Sequence, residues 1–167
     1  MRGETDMKTL DEHYESYGKE IYAYIYSFCH NHEIAEDIVQ DTFYKAYKNM
    51  GEAQSNYLKA WLFKIAYRLF IDHIRKEKRM QRLEESTFDK TFWESDVESK
   101  VFEQEKIGEL FSQIDQLPFN QKQALLLHSI HKLSYRDISQ VLEITESSVK
   151  SLIFRARATL KKVKMEV

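Results

Sequence analysis

The last quarter of the chain limits what the whole can be. Ser134-Tyr135-Arg136-Asp137-Ile138-Ser139-Gln140-Val141-Leu142 is followed by a short turn and then by Thr145 to Lys164. Ser134 precedes Asp137 by the capping-box spacing, so a helix is expected to begin at Tyr135. Thr145 suits the N-cap of the next helix, and Glu146 in its first turn suits the positive end of the helix dipole. Val149, Ile153, Ala156 and Leu160 recur at helical spacing and are predicted to face a core. The opposite face then carries Ser147, Lys150, Ser151, Phe154, Arg155 and Arg157. Two helices joined by a tight turn, the second with a basic outer face, are the layout of a helix-turn-helix. DNA recognition is the function that layout implies.

The rest of the chain suits such a helical protein. Its 167 residues allow one or two domains with cores of their own. A hydrophobic content of 43% beside 31% charged residues excludes a disordered chain. One proline and four glycines favour long helices over a turn-rich β fold. No apolar run approaches the roughly 20 residues that span a bilayer, and the start, MRGETDMKTLDEHYE, does not read as a signal peptide. The single cysteine, Cys29, excludes an internal disulfide framework and suits a reducing compartment. A cytoplasmic all-α protein with no direct membrane insertion is expected.

The net charge of −2 conceals a segregated distribution. Residues 1–58 hold 5 basic and 11 acidic side chains, whereas 59–82 hold 8 basic and 2 acidic. Residues 83–109 hold 3 basic against 9 acidic, and 144–167 hold 6 against 2. Two basic blocks separated by an acidic tract suggest two contacts to a polyanion, with another partner for the acidic parts. Solvated helix faces are the alternative reading of any single block.

Tyr14, Tyr17, Ile21, Tyr24, Ile25 and Phe28 predict one amphipathic helix over 11–29, its tyrosines forming core and rim. His30-Asn31-His32 breaks it. Cys29, His30 and His32 lack the second ligand pair of a usual metal site, so no metal and no cofactor is expected. A second helix, 33–50, buries Ile34, Ile38, Val39, Phe43 and Ala46. Its other side carries Asp37, Gln40, Asp41, Tyr44 and Lys48, a stripe that serves either solubility or a basic partner helix. Residues 51–56 form a loop whose amides and hydroxyls can read the edge of an unstacked base. A third helix, 57–82, turns Leu58, Leu62, Ile65, Leu69 and other apolar residues inward and Lys64, Arg68 and Arg75 outward, with Lys76, Lys78 and Arg79 beyond. Lys64 to Arg75 spans about 16 Å, enough to follow several phosphates. Residues 83–105 are acidic with scattered apolar side chains (the aromatics Phe88, Phe92, Trp93 and Phe102, with Val97) and read as a tether. A second helical domain begins near Lys106, stops its first helix at Leu117-Pro118 and continues from Asn120 to Ile130. Three segments result: 1–82, a linker at 83–105, and 106–167.

AEDIVQDTFYKAYKN at 35–49, YLKAWLFKIAYRLFIDHIRK at 57–76 and LPFNQKQALLLHSIHKLSYRDISQVLEITESSVKSLIFRARATLKK at 117–162 together resemble an extracytoplasmic-function (ECF) sigma factor of the sigma-70 family. The resemblance covers nearly the whole chain, in order and spacing. It implies that 1–82 is region 2 and 106–167 is region 4, two small helical domains on an acidic linker. Asp37, Gln40, Asp41 and Tyr44 would then dock on the β′ clamp helices of core RNA polymerase. Gln54, Ser55 and Asn56 would capture a flipped base of the −10 element, and Lys59, Lys64, Arg68, Arg75 and Lys76 would hold the surrounding DNA. Ser147, Ser148, Lys150, Ser151, Phe154, Arg155 and Arg157 would read the −35 element. Implied partners are core polymerase (through the clamp helices and the β flap), promoter DNA and a membrane-associated anti-sigma factor. The acidic linker would occupy a basic polymerase channel as an RNA mimic.

Three positions depart from the family pattern. Glu143 and Lys132 stand where glycine is frequent, and Leu152 stands where many members carry another arginine. A left-handed glutamate costs about 1 kcal/mol, so a differently built turn is expected. A stand-alone helix-turn-helix regulator is the competing reading. It needs a dimer interface, and the sequence has no long heptad seam. An enzyme is not expected: Glu36/Asp37 and Glu84/Glu85 are adjacent pairs that do not converge, and no nucleophile–base or phosphate-loop motif occurs. His128 and His131 are expected on a solvated or half-buried helix surface.

Overall fold

The computed structural model describes residues 2–49, 57–83 and 104–165. Among the described residues there are seven helices and no strand, in agreement with the all-α expectation. The chain divides into two compact units, residues 1–95 and 96–167. Most of the tether expected at 83–105, with its aromatics, lies outside the described residues.

In the first unit α1 is Arg2–Cys29, α2 is His32–Lys48 and α3 is Leu58–Leu83. The break between α1 and α2 has two causes. His30 adopts a left-handed φ of 48°, which ends α1. Asn31 is extended and its side chain accepts a hydrogen bond from the Ile34 N–H at 3.1 Å, which caps α2. The three helices meet along aromatic side chains. Tyr24 is buried with its ring 5.4 Å from Phe63, and Phe28 lies 5.9 Å from Phe70, joining α1 to α3. Ala35, Ile38, Val39, Phe43 and Ala46 supply the buried side of α2.

The buried face of α3 is centred on fewer of the expected leucine and isoleucine positions than the spacing suggests. Ala60, Leu62, Phe63, Ala66 and Phe70 are buried, whereas Leu58, Ile65 and Leu69 are only half-buried. Leu62 is buried as expected, and among the other apolar residues Phe63 and Phe70 find ring partners in α1. Those large rings take the centre of the interface.

In the second unit α4 is Gln104–Asp115, α5 is Phe119–Ser129, α6 is Tyr135–Leu142 and α7 is Glu146–Met165. Ile114, Leu117, Ala124, Leu125, Leu126, Leu127, Leu133, Ile138, Val141, Val149, Ile153 and Ala156 form its core. Lys122 enters this core with its stem and reaches Asp115 at 2.7 Å, tying α5 to α4. The α5–α6 turn passes through Lys132, left-handed at φ 60°, which folds its ammonium onto the Ser129 carbonyl at 2.7 Å. His131 is buried, unlike the solvated or half-buried surface expected of it; His128 is half-buried.

Candidate polymerase and nucleic-acid interface

The helix-turn-helix is built by its caps. The Ser134 hydroxyl accepts the Asp137 N–H at 3.1 Å, so α6 begins at Tyr135 as expected. Glu143 ends α6 in the left-handed region, φ 57° and ψ 44°. Its N–H and that of Ile144 both bond the Ser139 carbonyl, the first as in a left-handed helix end and the second as the six-to-one bond of a Schellman motif. The differently built turn expected from a glutamate here does not occur. Satisfied end carbonyls and the packing of α6 on α7 outweigh the backbone cost. The Thr145 hydroxyl then accepts the Ser148 N–H at 3.2 Å and starts α7.

On α7 the two faces separate cleanly. Val149, Ile153 and Ala156 are buried and Leu160 is half-buried. Ser147, Ser148, Lys150, Ser151, Phe154, Arg155 and Arg157 are all exposed. The hydroxyls of Ser147 and Ser148 sit 3.2 and 2.8 Å from that of Thr145, so they take part in the cap. Phe154 is 75% exposed, an apolar ring set among cations on a surface-facing helix. Leu152 is half-buried, consistent with its lack of charge.

Asp37, Gln40, Asp41 and Tyr44 are exposed along one side of α2, and the Lys48 ammonium stands 4.5 Å above the Tyr44 ring. Beside this stripe lies a feature that periodicity missed. A groove of about 650 Å³ runs between α1 and α2, lined by Tyr14, Glu15, Gly18, Lys19, Tyr22, Glu36, Val39 and Gln40. Gln40 belongs to both stripe and groove. The only hint in the sequence is the spacing of Tyr14, Gly18 and Tyr22, which puts a glycine between two rings on one face of α1. At one end of the groove, His32 lies 2.5 Å from the Tyr22 hydroxyl and 3.1 Å from the Glu36 carboxylate. Burial, with Tyr26, Glu36 and Cys29 nearby, pushes the Tyr22 hydroxyl pKa up.

On α3, Arg68, Arg75, Lys76, Lys78 and Arg79 are exposed and Lys64 is half-buried. Lys59 is turned toward α1, where its ammonium meets Glu20 at 3.3 Å. Gln54, Ser55 and Asn56 lie outside the described residues. Cys29, His30 and His32 do not converge: the Cys29 thiol donates to the Asn31 carbonyl at 3.3 Å while His32 turns to Tyr22 and Glu36. Among the described residues no three metal-ligating side chains cluster, and no helix is long and apolar enough to cross a membrane.

A helix-turn-helix with an exposed basic face, in a chain with a separate three-helix unit, is an architecture of DNA-binding transcription proteins. The sigma-70 region 2 model matches residues 13–80 and the sigma-70 region 4 model matches 107–160. The ECF RNA polymerase sigma factor SigM of Bacillus subtilis is 33% identical over 153 residues, covering 92% of this chain and 93% of that protein. SigW of the same organism is 33% identical over 156 residues, covering 87% and 83%. Among solved structures, the sigma factor RpoE in complex with the anti-sigma factor NepR from Bartonella quintana shares the fold. Its TM-score is 0.78 at 24% identity, covering 95% of this chain and 98% of that one. The chain belongs to the sigma-70 family, as an ECF sigma factor, and directs promoter-specific transcription. Sigma factors bind core RNA polymerase and are regulatory rather than catalytic.

Proposed function

We propose that this sigma factor divides its work among three surfaces. The exposed stripe Asp37, Gln40, Asp41 and Tyr44, extended by the groove between α1 and α2, docks on basic polymerase surface. Lys64, Arg68, Arg75 and Lys76 hold the −10 region while Gln54, Ser55 and Asn56 take a flipped base; Lys59 contributes there when it leaves Glu20. The α7 face from Ser147 to Arg157 enters the major groove at −35, cations on phosphates and base edges, Phe154 on apolar edges. The segments 1–82, 83–105 and 106–167 serve as polymerase and −10 unit, linker and −35 unit. The protein acts in the cytoplasm without catalytic chemistry of its own.

The observation that carries this reading is the division of α7 into an inward face, with Val149, Ile153 and Ala156 buried, and an exposed basic face. RpoE was solved with NepR, and CnrH with the cytosolic domain of CnrY. An anti-sigma factor that covers the polymerase or DNA faces, itself membrane-associated, is the proposed regulatory partner here.

Separating the functions tests the reading. Lys150→Ala or Arg155→Ala is expected to weaken −35-dependent transcription by about 1–3 kcal/mol while core binding is unchanged. Asp37→Ala with Asp41→Ala is expected to weaken core binding and leave the isolated DNA contacts intact. Equal defects in both assays from either change contradict the division.

A further inference from the structure

Three helices of the second unit contribute to one column of side chains. His128 of α5, Tyr135 at the first position of α6 and Lys150 of α7 follow one another in that order, the two rings tilted by 40°. The His128 and Tyr135 rings are 4.8 Å apart, and the Lys150 ammonium stands 6.0 Å from the Tyr135 ring centre. The bottom of the column is fixed. His128 Nδ1 lies 3.0 Å from the Leu133 carbonyl, which only accepts, so Nδ1 carries the hydrogen and donates it. The Ser134 cap fixes the backbone that presents Tyr135. Lys150, at the top, is exposed.

We propose that Tyr135 is a positioning residue for the −35 contact, its ring holding the Lys150 ammonium over the reading face before DNA arrives. This rests on the assignment of Lys150 to the −35 element. A lysine on a four-carbon stem loses rotamer freedom when it is fixed on a phosphate or base edge. An aromatic face attracts the ammonium without neutralising it, so the charge stays available to DNA while part of that ordering is already done.

The test is transcription by core polymerase with the full-length protein on promoters randomised across the −35 element. Tyr135→Leu is expected to lower −35-dependent output about 2- to 5-fold, and Tyr135→Phe, which keeps the ring face, to stay near wild type. In a Lys150→Ala background Tyr135→Leu is expected to add no further loss. Additive losses, or a Tyr135→Phe defect equal to that of Tyr135→Leu, overturn the proposal. They make Tyr135 an independent DNA contact or a fold element. A Lys150→Ala protein with normal −35 dependence overturns the underlying assignment as well, which separates the two failures. Proton NMR of the wild-type protein needs no variant to fold. Upfield ring-current shifts are expected at the Lys150 ε-methylene, and ordinary lysine shifts there contradict the stacking.

Discussion

Ile153 and Phe154 are neighbours in the chain and opposites in the fold: Ile153 is 1% exposed and Phe154 is 75% exposed. One step around α7 separates a core residue from a ring on the exposed basic face. Ile153→Ala is expected to destabilise the second unit by about 2–5 kcal/mol, through lost burial and a cavity. Phe154→Ala is expected to stay within about 0.5 kcal/mol in thermal unfolding, yet to reduce −35-dependent transcription several-fold. A large stability loss at Phe154 with unchanged promoter use would reverse the assignment of the two faces.

The end of α6 offers a gain of stability. Glu143 holds a left-handed backbone, φ 57°, where glycine has no Cβ penalty. Glu143→Gly is expected to raise stability by about 1 kcal/mol and to leave core binding unaltered. Calorimetry on both proteins reads the difference, and a lowered melting temperature contradicts the backbone account.

The Lys122–Asp115 contact at 2.7 Å is one-sided in its burial: the Lys122 side chain is 8% exposed and that of Asp115 41%. Asp115→Asn is expected to cost about 1–3 kcal/mol, because the lysine keeps its burial and loses a charged partner. That falls below the cost of breaking a fully buried pair, since water still reaches the aspartate side. Lys122→Met, which keeps the stem, is expected to be milder. Denaturant unfolding ranks the two, and the opposite order contradicts this explanation.

Burial pushes the Cys29 thiol pKa up, with the Glu77 carboxylate adding to it and backbone hydrogen bonds opposing it. At neutral pH the thiol therefore stays protonated, and alkylation is expected to be slower than for the denatured protein. The sign also sets a stability trend. The contribution from the neutral thiol is intact below the ordinary thiol pKa and fades as pH rises through the raised folded value. Mass spectrometry after timed iodoacetamide exposure measures the first effect. Equal rates in folded and denatured protein count against a half-buried neutral thiol.

Much of the architecture was readable because it is local. The caps Ser134 and Thr145, the α7 stripe and the polar side of α2 depend on spacing within one helix, and a periodic sequence displays them directly. What escaped depends on partners distant in the chain. The buried face of α3 turns on Tyr24 meeting Phe63 and Phe28 meeting Phe70. Lys59 reads as another cation of a basic helix until Glu20 comes beside it. The groove combines Tyr14, Gly18 and Tyr22 of α1 with Glu36, Val39 and Gln40 of α2, and neither helix shows it alone. Glu143 marks a subtler limit: sequence identified the strained position, but tertiary packing decided that the strain is tolerated.

In this reading the chain gives core polymerase its choice of promoter through two DNA-reading units. Core polymerase mixed with the protein and genomic DNA, followed by sequencing of the transcript 5′ ends, measures that choice directly. Start sites are expected that appear only when the protein is added and share one −35 and one −10 element. Arg155→Ala is expected to remove dependence on the −35 element alone. Unchanged start sites, with the protein binding duplex DNA as a dimer in the absence of polymerase, would contradict this reading.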